Sequence, residues 1–260
     1  MNKSTYRNEI KINNNQLFQI IKDRINKKAS LSIVRKGDGE NVIIGYKVVN
    51  GIKMIKYLRK LRHFNISITN FKFQNFLKDE LVESFLNADF LGVAKDYSYS
   101  SIRKFDSIIS KYYQFNSNTY IDSHFHLEFA KKPNSMNLLN NHAQDIISNK
   151  KIGIVTHFNI NSFLEHHNSK VVIQYKIPKR EAGFFKKMNF SIYNNILSGI
   201  KSNNSKVDIW LLSAGPYAKL FCNYIKNIGG IGLDVGSAVD TWAGEYHSRK
   251  YLRELLKKDD

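Results

Sequence analysis

Residues 32–40, Ser-Ile-Val-Arg-Lys-Gly-Asp-Gly-Glu, set two carboxylates, Asp38 and Glu40, beside two cations, Arg35 and Lys36. Gly37 and Gly39 flank the first acid. Glycine tolerates positive φ and lets the backbone approach a ligand closely. Acids at i and i+2 across a glycine suit one hard cation at a strand end. Oxygen donors of this kind bind Mg²⁺ or Mn²⁺, which keep waters and bridge to substrate phosphates. Arg35 and Lys36 would neutralise further phosphate charge. A Gly-Asp-Gly hairpin turn with incidental charges fits the same string. Spacing alone leaves both readings open.

The run "VDIWLLSAGPYAKL" is a second loaded turn. A small-residue turn between strand and helix aims free N–H groups at an anion. Gly215 and Pro216 would form that turn, and Ser213 would add a hydroxyl donor. Asp234 follows 19 residues after Gly215, about where a ribose-binding acid would lie. The G-x-G-x-x-G string is missing, so a well-capped helix in any α/β sheet fits equally well. In "LDVGSAVDTWAG", Asp234, Ser237, Asp240 and Trp242 would enclose a polar pocket with an aromatic wall, and Gly236 beside them is a further cofactor-binding candidate. A structural turn with a core Trp is the plainer account. His157 follows the strand-like "GIVT" and would contact a substrate.

The string Asp122-x-His124-x-His126 resembles the opening strand of metal-dependent amidohydrolases. It begins too late for a whole eight-fold barrel of ~250 residues to follow. The remaining histidines form no evident ligand set, so polar or core roles are expected for these two.

The elements that must position these residues alternate. Helical spacing appears in "NNNQLFQIIKDRINKK" through Leu17, Ile20, Ile21 and Ile25. "ASLSIVR" reads as a buried strand ending in the GDGE turn. "IKMIKYLRKL", "FQNFLKDELVESFL", "SIRKFDSIISKYYQF" and "SMNLLNNHAQDIISN" read as helices. "ADFLGVA", "KKIGIVTHF" and "KVVIQYKIP" read as strands, and "TYIDSHFHLEF" fits either state. "REAGFFKKMNFSIYNNILSGI" places Phe184, Met188, Ile192 and Ile196 at a four-residue step. Pro216 suits a helix's first turn, and Gly229/Gly230 its stop. "IGLDVGS" is a further strand, and "HSRKYLRELLKK" a closing helix. Strands alternating with helices predict an α/β fold. The expectation is a single Rossmann-like domain over 1–260, with a mainly parallel sheet flanked by helices and a helical insertion in the first half. Ligands in such sheets bind beyond the carboxyl ends of the strands.

Forty Lys and Arg against 22 Asp and Glu give a net charge of +18, which favours anionic partners. A solvated Lys-rich surface fits equally well. No Arg-rich arm or zinc-finger spacing appears. Cys222 is the only cysteine, which excludes an intrachain disulfide, and its apolar helical setting predicts a core residue. "MNKSTYRNEIKINNNQLF" lacks a signal-peptide apolar core. No apolar run approaches the ~20 residues of a membrane span. The expected location is cytoplasmic, with peripheral contact at the inner face of the cell membrane.

"LSIVRKGDGE" resembles the opening strand and Asp-x-Glu motif of the bacterial GT-D-type glycosyltransferases. "VDIWLLSAGPYAKLFCNYIKNIGGIGLDVGSAVDTW" resembles their closing strand–GP–helix–strand–acid unit. The combination is specific, while residues 50–150 match only loosely. The resemblance implies a nucleotide-sugar donor, with a UDP-sugar expected, and Mn²⁺ or Mg²⁺ held by Asp38 and Glu40. It implies an acceptor hydroxyl on a bacterial surface glycan, a lipid-linked glycan or a glycoprotein. Arg35 and the amides near Gly215 would share the charge of the leaving diphosphate. Asp240, then Asp234, then His157 are candidates for the general base. No nucleic acid is expected on this reading. The alternative is a basic nucleic-acid-binding protein or nuclease, which predicts salt-sensitive oligonucleotide binding.

Overall fold

Successive side chains of Leu31–Arg35 (β1) enter cores on opposite sides: Ile33 packs in one and Val34 in the other. Ile209–Leu212 (β6) does the same, with Ile209 and Leu211 on one side and Trp210 and Leu212 on the other. Strands buried on both faces require helices on both faces. The computed structural model describes residues 10, 12–93, 103–115, 119–131, 139, 141–178, 187–248 and 252–253.

Among the described residues, five further strands join the sheet: Phe90–Val93 (β2), Thr119–Asp122 (β3), Lys151–Thr156 (β4), Lys170–Lys176 (β5) and Ile231–Asp234 (β7). All neighbours pair in parallel, in the order β3-β2-β1-β7-β6-β4-β5. The chain first builds outward from β1 to β3. It then starts again at β4, and β6 and β7 fill the middle. The β1/β7 boundary joins these two halves.

Among the described residues, ten helices accompany the sheet: Asn14–Lys27 (α1), Asp38–Gly45 (α2), Met54–His63 (α3), Phe71–Asn87 (α4), Arg103–Tyr113 (α5), Asn141–Ile147 (α6), Asn161–His166 (α7), Phe190–Asn203 (α8), Tyr217–Asn227 (α9) and Ala238–Trp242 (α10). Crossovers stepping toward β3 carry α4, α5, α8 and α9, whose apolar residues share one core. Crossovers stepping toward β5 carry α6 and α7, which pack in the other core with α1 and α10. The right-handed βαβ rule demands this: reversing the step moves the helix to the opposite face. Between β1 and β2 the chain inserts three helices, α2 to α4. Among the described residues, no helix is long and apolar enough to cross a membrane.

Some expectations need correction. The GDGE segment is not a turn, because Asp38 is the first residue of α2 and Asn41 N donates to Gly37 O at 3.0 Å. Met188 is not helical. The Asn189 side chain accepts from Ile192 N at 3.0 Å, which caps α8 and starts it at Phe190. Met188 instead forms an isolated parallel bridge with Ile66. Phe184 and most of the closing helix lie outside the described residues. "TYIDSHFHLEF" divides into β3 and a 3-10 turn over Ser123–Phe129.

Candidate active site

The carboxyl end of β1 delivers Arg35, and the adjacent end of β7 delivers Asp234. Arg35 donates twice to that carboxylate, from its backbone N to Oδ2 at 3.2 Å and from Nη2 to Oδ1 at 3.3 Å. The turn after β6 starts α9, whose first turn carries Lys219. Its ammonium lies 2.9 Å from Asp234 Oδ2 and 3.0 Å from Glu40 Oε1, and it donates to Gly215 O at 3.0 Å. Three strand ends and α2 thus converge on two cations and two carboxylates.

Glu40, Lys219 and Asp234 are all buried, at 5%, 3% and 1% exposure. A lone charge at such depth is costly, but these carboxylates are each met by a cation. Burial by itself would raise the Asp234 pKa. Arg35 and Lys219 outweigh it and hold the carboxyl below its ordinary range. Burial likewise opposes the charge on Lys219, yet Asp234 and Glu40 raise its pKa. Asp234 and Lys219 therefore stay ionised near neutral pH.

Glycines shape this centre through space. Gly236 sits at φ +46°, and a β-carbon there would lie 1.7 Å from Arg35 Nη2, so the guanidinium rests on the glycine backbone. A β-carbon on Gly39 would fall 2.2 Å from the ring of Phe64, the residue that ends α3. The same ring faces Gly215, so one aromatic side chain touches both the start of α2 and the turn before α9.

Helical geometry separates the two acids of the Asp-x-Glu string, since side chains at i and i+2 on a helix diverge. Asp38 is exposed, while Glu40 points inward to Lys219. Glu40 Oε2 lies against Gly37, where a β-carbon would come within 2.8 Å of it. Among the described residues, no group of three or more His, Cys, Asp or Glu could cage a metal ion. Glu40 is engaged by Lys219, so the exposed Asp38 is the carboxylate better placed for a hard cation whose other positions are filled by water and phosphate oxygens.

Lys36 does not join the cluster. It is buried on the far side, 3.0 Å from Asp106 Oδ1, hydrogen-bonded to Ser110 Oγ and 5.1 Å from the centre of the Phe115 ring. Ser213 lies at the same carboxyl edge, its N–H donating to Val155 O at 2.9 Å. Pro216 takes the N-cap position of α9. Ser237 precedes α10, and Asp240 is buried within it. Trp242 is a core residue: it stacks on Phe163 with centroids 4.7 Å apart and donates from Nε1 to Phe129 O at 2.6 Å. His157 follows β4, three strand spacings from Arg35, or about 14 Å. His126 Nδ1 bonds Ser123 O at 2.8 Å, and burial followed by the Arg35 charge pushes its pKa well down.

Sequence reasoning missed Lys219 and Phe64. The signal for Lys219 was its setting in "PYAKLFCNYI", where a lone cation stands among mostly apolar residues. A lysine inside such a run must find carboxylates. Phe64 had no local signal, because its partners are glycines remote in sequence.

A parallel α/β sheet with its charged cluster at the switch between β1 and β7 defines a Rossmann-like protein, and the cluster lies in the crevice where such sheets bind ligands. The profile of the GT-D-like family, described as a GT-D fold-like domain, matches residues 12–242, and the chain belongs to that family. Solved structures agree on the fold. The chain is similar to one described as the domain of unknown function 1792 with a distinct glycosyltransferase fold, at TM-score 0.55 and 17% identity over 93% of this chain and 82% of that one. It is also similar to one described as a new glycosyltransferase from Streptococcus sanguinis, at TM-score 0.52 and 15% identity over 91% and 82% of the two chains. Among curated proteins, none matches the chain.

Proposed function

We propose that the protein transfers a sugar from a nucleotide-sugar donor, a UDP-sugar in the first instance, to an acceptor hydroxyl. The acceptor is a bacterial surface glycan, a lipid-linked glycan or a glycoprotein. The observation that carries this reading is the closed Arg35–Asp234–Lys219–Glu40 cluster at the β1/β7 boundary of a GT-D fold. Fold alone is weak warrant for activity. This cluster adds cations fixed in advance where a diphosphate would leave.

Asp38, joined by Glu40 once that side chain turns from Lys219, would hold Mn²⁺ or Mg²⁺. When bound, such a cation offsets the negative charge of the departing diphosphate as a Lewis acid. Arg35, at the solvent side of the cluster, would share that charge through its guanidinium. Asp234 is held by two cations, so its task is to fix Arg35 and Lys219 rather than to accept a proton. Gly215 and Ser213, at the start of α9, offer backbone and hydroxyl donors to the nucleotide. Asp240, then His157, remain the candidates for taking the acceptor proton.

Thermal stabilisation by a panel of nucleotides and nucleotide sugars, with and without Mn²⁺ or Mg²⁺, tests this. The expected result is a metal-dependent rise in Tm with one nucleoside diphosphate, lost in the Asp38→Ala/Glu40→Ala variant. No rise with any nucleotide, together with tight oligonucleotide binding, would overturn the reading in favour of a nucleic-acid-binding protein.

A further inference from the structure

Residues 41–78 contain eight Lys and Arg and no Asp or Glu, so this stretch carries +8 of the chain's +18. It spans most of α2, all of α3 and the start of α4. Five of the eight cations lie between Lys53 and Arg62, on or next to α3. Lys53, Arg59 and Arg62 are exposed. A shallow cavity of about 380 Å³ lies among Arg59, Lys60, Arg62 and His63.

The same two helices also expose large apolar side chains. Met54 and Ile55, in the first turn of α3, are 62% and 59% exposed, and Phe71, which opens α4, is 70% exposed. The hydroxyl of Tyr57 on α3 donates to Gln74 Oε1 on α4 at 2.9 Å, tying the two helices together. Only Leu61 of α3 is fully buried. Cations beside exposed apolar side chains on one helix match the chemistry of a bilayer interface. There the cations meet headgroup phosphates and the apolar groups enter the acyl boundary. A nucleic-acid surface would use the cations but gain nothing from Met54 and Ile55.

We infer that α3, with the start of α4, is a docking surface for an anionic lipid membrane. Phe64 ends α3 and touches Gly39 and Gly215, so docking through α3 brings the catalytic edge beside the bilayer. An acceptor carried on a lipid is presented there. This goes beyond the transfer reaction and does not depend on the identity of the donor.

The test is co-sedimentation of the full chain with vesicles. One set is phosphatidylcholine alone, and the other contains about one-third phosphatidylglycerol, each at ~0.1 M and ~0.5 M salt. Two variants are compared with the wild type, Met54→Ser/Ile55→Ser and Lys53→Glu/Arg59→Glu/Arg62→Glu. All five positions are exposed, so both variants should fold, and an unchanged circular dichroism spectrum checks this. The wild type is expected to sediment with anionic vesicles at low salt and not with neutral ones. Each variant is expected to lower that partition by about tenfold or more. Stabilisation by nucleotide should be the same in both variants as in the wild type, which separates failure of docking from failure of the transfer reading. Absence of binding to anionic vesicles would overturn the inference. So would undiminished binding by Met54→Ser/Ile55→Ser while an oligonucleotide displaces the vesicles, a result that marks a nucleic-acid surface.

Discussion

Lys219 Nζ lies 3.0 Å from Glu40 Oε1, so a residue of α9 neutralises a buried acid of α2. Removing one partner of a buried pair leaves an uncompensated charge and costs about 3–5 kcal/mol. Lys219→Met should lower the free energy of unfolding by about that amount in urea titrations. Glu40→Gln/Lys219→Met should cost less than the sum of the two single changes, with a coupling of about 1–3 kcal/mol. A loss under about 1 kcal/mol in Lys219→Met would remove the cluster from the structural account.

Asp38 should behave in the opposite way. It is exposed at the start of α2, so Asp38→Asn should change stability by no more than about 0.5 kcal/mol. Sugar transfer should nevertheless fall about 100-fold or more, since even outer partners of a metal site cost about 10–100-fold when replaced. The check is a steady-state assay with the nucleotide sugar selected by thermal shift, run at several Mn²⁺ concentrations. Transfer unchanged in this variant would exclude Asp38 as a metal ligand.

The contrast between these acids shows what the sequence could and could not reveal. The strands β1, β4, β6 and β7 were legible because their apolar runs end in polar or glycine-rich turns. The start of α2 was not. Gly37 caps it without a side chain, and "NVIIG" continues it with an unbroken apolar run instead of a helical period. A strand-end turn and a helix N-terminus then look alike, and the divergence of Asp38 from Glu40 stayed hidden. Met188 was misplaced because its four-residue step continued across Asn189, whose side chain caps the helix and ends that register. The strand ends Arg35 and Asp234 were visible as candidates, but their ion pair depends on β1 lying beside β7, which no local pattern encodes.

Gly236 offers a test of how closely Arg35 must be held. At φ +46° an L side chain costs about 1–2 kcal/mol, and a β-carbon would also strike Nη2. Gly236→Ala should therefore displace the guanidinium from Asp234 and weaken nucleotide binding by about tenfold, the loss of roughly one charge-assisted hydrogen bond. Gly229→Ala is the matched control. It shares a positive φ, +83°, but nothing lies within 4 Å of the added carbon. It should lose similar backbone stability and leave nucleotide affinity unchanged, as read by isothermal titration. Equal nucleotide affinity in both variants would show that Arg35 does not touch the donor.

His126 sets an acid limit on stability. Burial, reinforced by the positive charge of Arg35, pushes its pKa well below the ordinary 6.5, while the bond to Ser123 O only partly opposes this. The folded imidazole is neutral where the unfolded one is protonated. Its contribution is therefore complete above pH 6.5 and is lost as the pH falls from there toward the folded pKa. In that window the unfolded chain binds the extra proton, so stability should fall with a slope approaching about 1.4 kcal/mol per pH unit from this residue. Urea unfolding at a series of pH values between neutrality and mild acid should show the slope in the wild type and a shallower one in His126→Asn. The difference between the two isolates His126 from the other histidines, and equal slopes would mean that the imidazole gains a proton without loss of the fold.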